Sequence, residues 1–340
     1  MSAAAAELAA VRPASPLKFL FPGWYAIVMG LAGLALAWHR AESTLGPMAS
    51  AAALVIGAAA LIVFAVLAAA TVLRWQRHHD SWLEDLRHPV RHAFVATLPI
   101  GVLLLVTVAT ALGARHAMLS LLWWAGSLAQ LAVTLWVLAR WWRGAQAGGL
   151  QWAGVTPALF IPIVGNVLVP LAGVPLGFVE ASAAQFGVGL LFWPVVLVLL
   201  VVRLVVQGPW PERMLPTSFI LIAPPAVVAL GVLQFGGPIT IAWMLWGMAL
   251  FSLLWAGTLT RRITALPFGL PHWGMSFPLA AFAALTLRLA EGGAMQLLGL
   301  AALALASLVI VALALATLRG LRNGSLLAPE PVAALQPAAP

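Results

Sequence analysis

Between Trp24 and Leu318 the chain passes through ten apolar stretches, each close to the length of a membrane-crossing helix, with charges confined almost entirely to the breaks. They run over 24–39, 50–73, 93–112, 117–139, 156–173, 182–206, 217–235, 239–260, 273–290 and 295–318. A spanning helix takes about 20 apolar residues. A bilayer core offers backbone N–H and C=O groups no partner except each other, which leaves helices and closed barrels as the spanning structures. Uninterrupted apolar runs of this length read as helices.

Only 8% of the 340 residues are charged, against roughly 25% in soluble domains, so no sizeable water-soluble domain fits. A cytosolic enzyme and a DNA-binding module are excluded on that ground. The sequence holds no Cys, which excludes a disulfide scaffold and thiol redox chemistry. The expected fold class is an all-α integral membrane protein with ten transmembrane helices. No cleavable signal peptide is read in the Ala-rich start. The domain reading is a short cytoplasmic segment over 1–22, a transmembrane domain over 23–320, and a disordered Ala/Pro-rich cytoplasmic tail over 321–340.

The net charge of +8 raises nucleic acid as a partner, but the basic residues are scattered in short breaks, where they orient the chain in a membrane. With ten spans, 14 of the 17 Lys and Arg fall on the side of the N-terminus, and only Arg40, Arg115 and Arg288 on the other. An error of one span would scramble that split. Cytoplasmic loops carry the positive excess, so both termini are expected in the cytoplasm of a bacterial-type inner membrane. Trp24, Trp38, Trp75, Trp141, Trp142 and Trp273, near span ends, read as interfacial anchors.

Ten spans with both ends on one side pair into five parallel helical hairpins. Repeats in that orientation relate by an axis along the membrane normal, which suits a central pore. Proline separates two helix classes. The odd stretches hold Pro99, Pro157, Pro162, Pro170, Pro224, Pro225 and Pro278, whereas the even ones hold only Pro194. A proline inside a helix removes a backbone hydrogen bond and kinks the axis, and the freed carbonyl needs protein or water beside it. The odd helices are therefore expected inside, around the pore, and the even helices outside, against lipid.

Intramembrane acids and histidines, which mark tight proton or sodium coupling, are nearly missing. Asp80, Glu84 and Asp85 fall in a loop, and Glu180 falls where a carboxylate favours the N-terminal end of the sixth helix. His78, His79, His88 and His92 lie near those acids without metal-ligand spacing and read as a solvated loop and first helical turn. No nucleophile with an activating base is apparent, and no phosphate loop. No enzyme activity, cofactor or metal is expected.

Several segments at the starts and middles of the odd stretches together carry a resemblance: Pro22-Gly23-Trp24-Tyr25 with Met29-Gly30-Leu31-Ala32-Gly33-Leu34, His88-Pro89-Val90-Arg91, Thr156-Pro157-Ala158 with Pro162, Ala223-Pro224-Pro225-Ala226, and Trp273-Gly274-Met275-Ser276-Phe277-Pro278. In their order and spacing the chain resembles the tellurite-resistance and dicarboxylate transporter family, which includes the slow anion channels of plant guard cells. The resemblance implies a ring of five hairpins, a homotrimer with one pore per subunit, and a ninth-helix phenylalanine plugging the pore, which is Phe277 here. It implies small inorganic anions or organic dicarboxylates as cargo, with the bilayer as the other partner. The expected function is an anion channel or channel-like transporter with an aromatic gate. The alternative is a coupled carrier for four-carbon dicarboxylates such as malate, or an exporter of sulfite or tellurium oxyanions.

A ring across a narrow apolar pore gates by steric closure and dewetting; otherwise Phe277 is one more packing aromatic. Gly30 and Gly33 suit a wider lumen or helix packing through small residues. Asn166 offers its amide to an anion or to a neighbouring helix. Pro99, Pro162, Pro224 and Pro278 are the expected kinks of the inner ring.

Overall fold

The computed structural model describes residues 15–144 and 147–328, and among them the only regular secondary structure is helix. Seven helices are long and apolar enough to cross a membrane: Pro47–Arg77, Arg91–Ala111, Ala117–Ala139, Val179–Gln207, Glu212–Gln234, Ile239–Gly257 and Gly293–Arg322. They cover the second, third, fourth, sixth, seventh, eighth and tenth apolar stretches. The protein is a multi-pass membrane protein.

The first, fifth and ninth stretches are shorter as regular α-helix. Ala26–Arg40 has 15 residues and follows a 3-10 turn over Pro22–Tyr25. Ser276–Leu289 has 14 and follows a 3-10 segment over Leu270–Met275. Pro157–Gly173 alternates between 3-10 and α turns. The third and seventh stretches also open in 3-10 form, over Arg91–Ala96 and Glu212–Ile222.

Burial divides the long helices by parity. In the third and seventh, 67% and 89% of the apolar window is buried, against 22–33% in the second, fourth, sixth, eighth and tenth. Leu54, Leu128, Val198, Met244 and Leu308 on the even helices are all more than half exposed, a face only a lipid solvent tolerates at this density. Each even helix packs against the odd stretch before it. The odd stretches pack in order, first on third, third on fifth, fifth on seventh and seventh on ninth, and the ninth returns to the first.

Two sequence expectations are corrected. The segment after the second stretch, read as a solvated loop, is a helix, His79–Arg87, with Asp85 only 1% exposed. Asp85 Oδ2 lies 2.7 Å from Arg74 Nη2 and Oδ1 3.1 Å from Arg91 Nη1, and Arg74 also donates to the carbonyls of Lys18 and Ser81. A buried carboxylate persists because two guanidiniums neutralise it. Trp24 and Trp273 are buried, not interfacial, and Trp38 donates to Ser307 Oγ at 3.1 Å. These three belong to odd stretches, which the even helices shield from the bilayer surface, whereas Trp75 and Trp142 on even helix ends are exposed. Pro99, Pro162, Pro225 and Pro278 each stand third in an α-segment, and Pro224 second, just after a 3-10 opening passes into α-helix.

Residues 15–22 hold a 3-10 turn, Pro16–Phe19, and past Arg322 Leu326 folds back against Gly320. Of the two terminal segments, 1–14 and 329–340 lie outside the described residues.

Candidate functional site

Odd stretches open in 3-10 form before passing into α-helix. At the ninth, Ser276 Oγ donates to Trp273 O at 2.7 Å across that junction, and Trp273 Nε1 donates to Thr317 Oγ1 at 2.9 Å, fixing the junction to the tenth helix. Phe277 follows at once, 7% exposed. Opposite it stand Gly30 and Gly33 of the first helix, one turn apart and both buried. A Cβ at Gly33 would lie 2.9 Å from Phe277 Cδ2 and 3.3 Å from Ala280 Cβ, and one at Gly30 would collide with the Ser276 hydroxyl. Of the two readings of these glycines, the geometry displays close approach: the space left by the missing side chains is filled by Ser276 and the Phe277 ring.

The junction recurs around the cycle. The second residue of each odd α-segment is Ile27, Leu98, Ile161, Pro224 and Phe277. One of the five is aromatic.

Asn166 sits at a second cluster, between the fourth, fifth and sixth stretches. Its Nδ2 donates to Thr134 Oγ1 at 2.8 Å and to Pro162 O and Ile163 O at 3.1 and 3.0 Å, while its Oδ1 accepts from Gln185 Nε2 at 3.0 Å. Gln130 and Thr134 also donate to Pro162 O, at 2.8 and 2.6 Å, and Ser127 donates to Gln185 Oε1. Asn166, Gln130 and Thr134 are at most 1% exposed. The structure thus gives Asn166 to interhelical bonding instead of an open lumen. The broken fifth stretch has carbonyls outside the regular α ladder, and side chains of its neighbours satisfy them.

Gln130, Thr134 and Gln185 were not singled out from sequence. The signal was present: Ser127, Gln130 and Thr134 are spaced i, i+3, i+7 in an otherwise apolar run, which places three polar groups on one helix face. Ser218, 2% exposed, was also not singled out, and its hydroxyl, like that of the motif residue Thr156, finds no hydrogen-bond partner among the described residues. Pro99, Pro162, Pro224 and Pro278 stand on the third, fifth, seventh and ninth stretches, which pack in a closed cycle with the first.

No reacting constellation accompanies these groups; they are apolar rings, glycines and hydroxyls. Such a set can size, dehydrate and hydrogen-bond a solute. It cannot activate a nucleophile.

Among known proteins, the chain is 25% identical over 305 residues to a tellurite resistance protein TehA homolog of Haemophilus influenzae, covering 89% of this chain and 91% of that one. It is 26% identical over 291 residues to an uncharacterized transporter of Methanocaldococcus jannaschii, covering 79% and 83%. To the S-type anion channel SLAH2 of Arabidopsis thaliana it is 27% identical over 239 residues, 67% of this chain and 44% of the plant protein. The model of the voltage-dependent anion channel family, SLAC1, matches residues 20–318, so the apolar stretches and their central junctions are together the family's domain, and this chain belongs to that family of membrane anion channels and transporters, not to the enzymes.

Proposed function

We propose that the chain is an anion channel or channel-like transporter that passes small anions along the axis enclosed by the five odd stretches, with Phe277 as the gate. The observation that carries the reading is the contact cycle: each odd stretch packs on the next and the ninth returns to the first, with buried Phe277 at the start of the ninth α-segment against Gly33 of the first. A phenyl ring at such a constriction excludes water and obliges an ion to shed hydration.

Ten spans in five parallel hairpins are supported by the lengths. At 1.5 Å per α residue and 2.0 Å per 3-10 residue, the first, fifth and ninth stretches each reach roughly 30 Å, the thickness of the hydrocarbon core. The transport unit is then 23–320. The 14-to-3 distribution of basic residues supports an inner-membrane protein with residues 23 and 320 on the cytoplasmic side. The assembly we propose is a homotrimer with one pore per subunit.

Anion preference is supported by the chemistry of the lining. Kinked backbone would offer carbonyls, which repel anions, but around Pro162 those carbonyls are covered by Gln130, Thr134 and Asn166. The basic cytoplasmic face adds an attractive potential that salt screens.

The test is anion flux in proteoliposomes across chloride, nitrate, sulfite and malate, for wild type and Phe277→Ala, with and without a pH gradient. The gate reading expects passive flux to rise on the order of tenfold, the rate equivalent of about 1.4 kcal/mol of barrier. A second reading, an exporter of sulfite or tellurium oxyanions or a coupled carrier of dicarboxylates, is favoured by the relative named for tellurite resistance. It expects wild type to accumulate one of these anions uphill, with Phe277→Ala conducting no better.

A further inference from the structure

At the arginine-rich end of the fourth stretch, outside the central axis, Arg87, Trp136, Ala139, Arg140, Arg143 and Gly148 line a pocket of about 300 Å³. Among the described residues, no carboxylate lines it. Arg140 is fixed in place: Nη1 donates to Leu86 O at 2.6 Å, at the end of the linker helix His79–Arg87, and the guanidinium lies 5.6 Å from the Trp136 ring centroid. Burial, and then repulsion from Arg143, pull the Arg140 guanidinium below its ordinary value. Two like charges therefore border one pocket, an arrangement that an anion relieves. Arg87 also borders a neighbouring pocket with Asp80 and Glu84, so Arg140 and Arg143 supply most of the uncompensated charge.

We propose that Arg140 and Arg143, with Arg87, form a binding site for the phosphate of an anionic membrane phospholipid. The surroundings decide between a lipid and a soluble anion. The pocket closes the end of a helix whose outer face is apolar and exposed, with Leu128 at 58% and Leu135 at 61%, and Trp142 beside it is 93% exposed. That face lies against acyl chains, and aromatic residues at its end mark the headgroup level. A lipid with its chains along Leu128 and Leu135 presents its phosphate to this pocket. A guanidinium fork matches phosphate oxygens in two parallel hydrogen bonds.

The experiment is native mass spectrometry of the full chain in detergent with equimolar phosphatidylglycerol and phosphatidylcholine. Wild type is expected to retain phosphatidylglycerol preferentially. Each arginine near a membrane surface contributes about 1 kcal/mol to anionic-lipid attraction, so Arg143→Gln is expected to lower retention on the order of fivefold, and Arg140→Gln/Arg143→Gln further. Arg87→Gln should have the smallest effect. The Arg143 side chain makes no hydrogen bond among the described residues, so its variant carries the test if loss of the Arg140–Leu86 bond impairs folding. Arg261→Gln, on another helix at the same side, should leave retention unchanged. Equal retention by Arg143→Gln and wild type overturns the site, as does an equal loss in Arg261→Gln. Displacement of phosphatidylglycerol by millimolar inorganic phosphate overturns the lipid as occupant and leaves a free anion in its place.

Discussion

Gly33 and Phe277 occupy one space: a Cβ on the glycine would stand 2.9 Å from Cδ2 of the ring and 3.4 Å from Cε2. The first helix therefore sets where the ring of the ninth can lie. Gly33→Ala is expected to displace the ring and change passive anion flux in liposomes. In a Phe277→Ala background the same substitution should have little further effect, because the partner it pushes is gone. Additive effects of the two substitutions on flux would show that they act independently, and the Gly33 contact would then have no part in gating.

One turn earlier, Gly30 meets the Ser276 hydroxyl that closes the junction onto Trp273 O. Gly30→Ala overpacks this contact and should destabilise the protein by about 1–3 kcal/mol, read as a lower melting temperature in detergent. Gly30→Ala/Ser276→Gly should recover most of the loss, since it removes the colliding atoms.

The cluster around Asn166 gives a prediction with the opposite signature. Asn166→Ala leaves Gln185 Nε2 and Thr134 with lost partners inside the bundle and should cost about 1–3 kcal/mol. Anion selectivity should be unchanged, because both the donor and the acceptor side of the amide are engaged by Thr134, Pro162, Ile163 and Gln185. A shift in the chloride-to-nitrate permeability ratio at unaltered stability would instead put Asn166 in the ion path.

Arg74 and Asp85 are both about 2% exposed in their side chains, and Arg91 is 23% exposed. Asp85→Ala would leave two guanidiniums without their shared carboxylate and should destabilise by about 3–5 kcal/mol, the range for breaking a buried pair. The exposed Glu212–Arg262 pair, at 2.9 Å, is the contrast: Glu212→Ala should cost less than about 1 kcal/mol. Hydrogen exchange would read the first as lost protection over His79–Arg87. Equal, small effects of both would mean the Arg74–Asp85 pair does not hold the linker helix.

The membrane class, the apolar stretches and the division into proline-rich and proline-poor helices follow from residues close together in the chain. Each needs only a local count: apolar length against bilayer thickness, basic residues in one break against the next, a proline where an N–H is missing. The residues of the motif around Phe277 were legible in the same way. Tertiary structure decided what those local features do. The prolines of the odd stretches stand where 3-10 turns pass into α-helix. Gly30 and Gly33 face Ser276 and Phe277 across nearly the whole length of the chain, and Asn166 joins Thr134 and Gln185, 32 and 19 residues away. Asp85, which reads as solvated, is buried because Arg74 and Arg91 come to it from two different helices. Hydropathy is a property of each residue and its neighbours in sequence, whereas a hydrogen bond or ion pair between helices depends on their register and rotation, and these were set only when the odd stretches closed on one another.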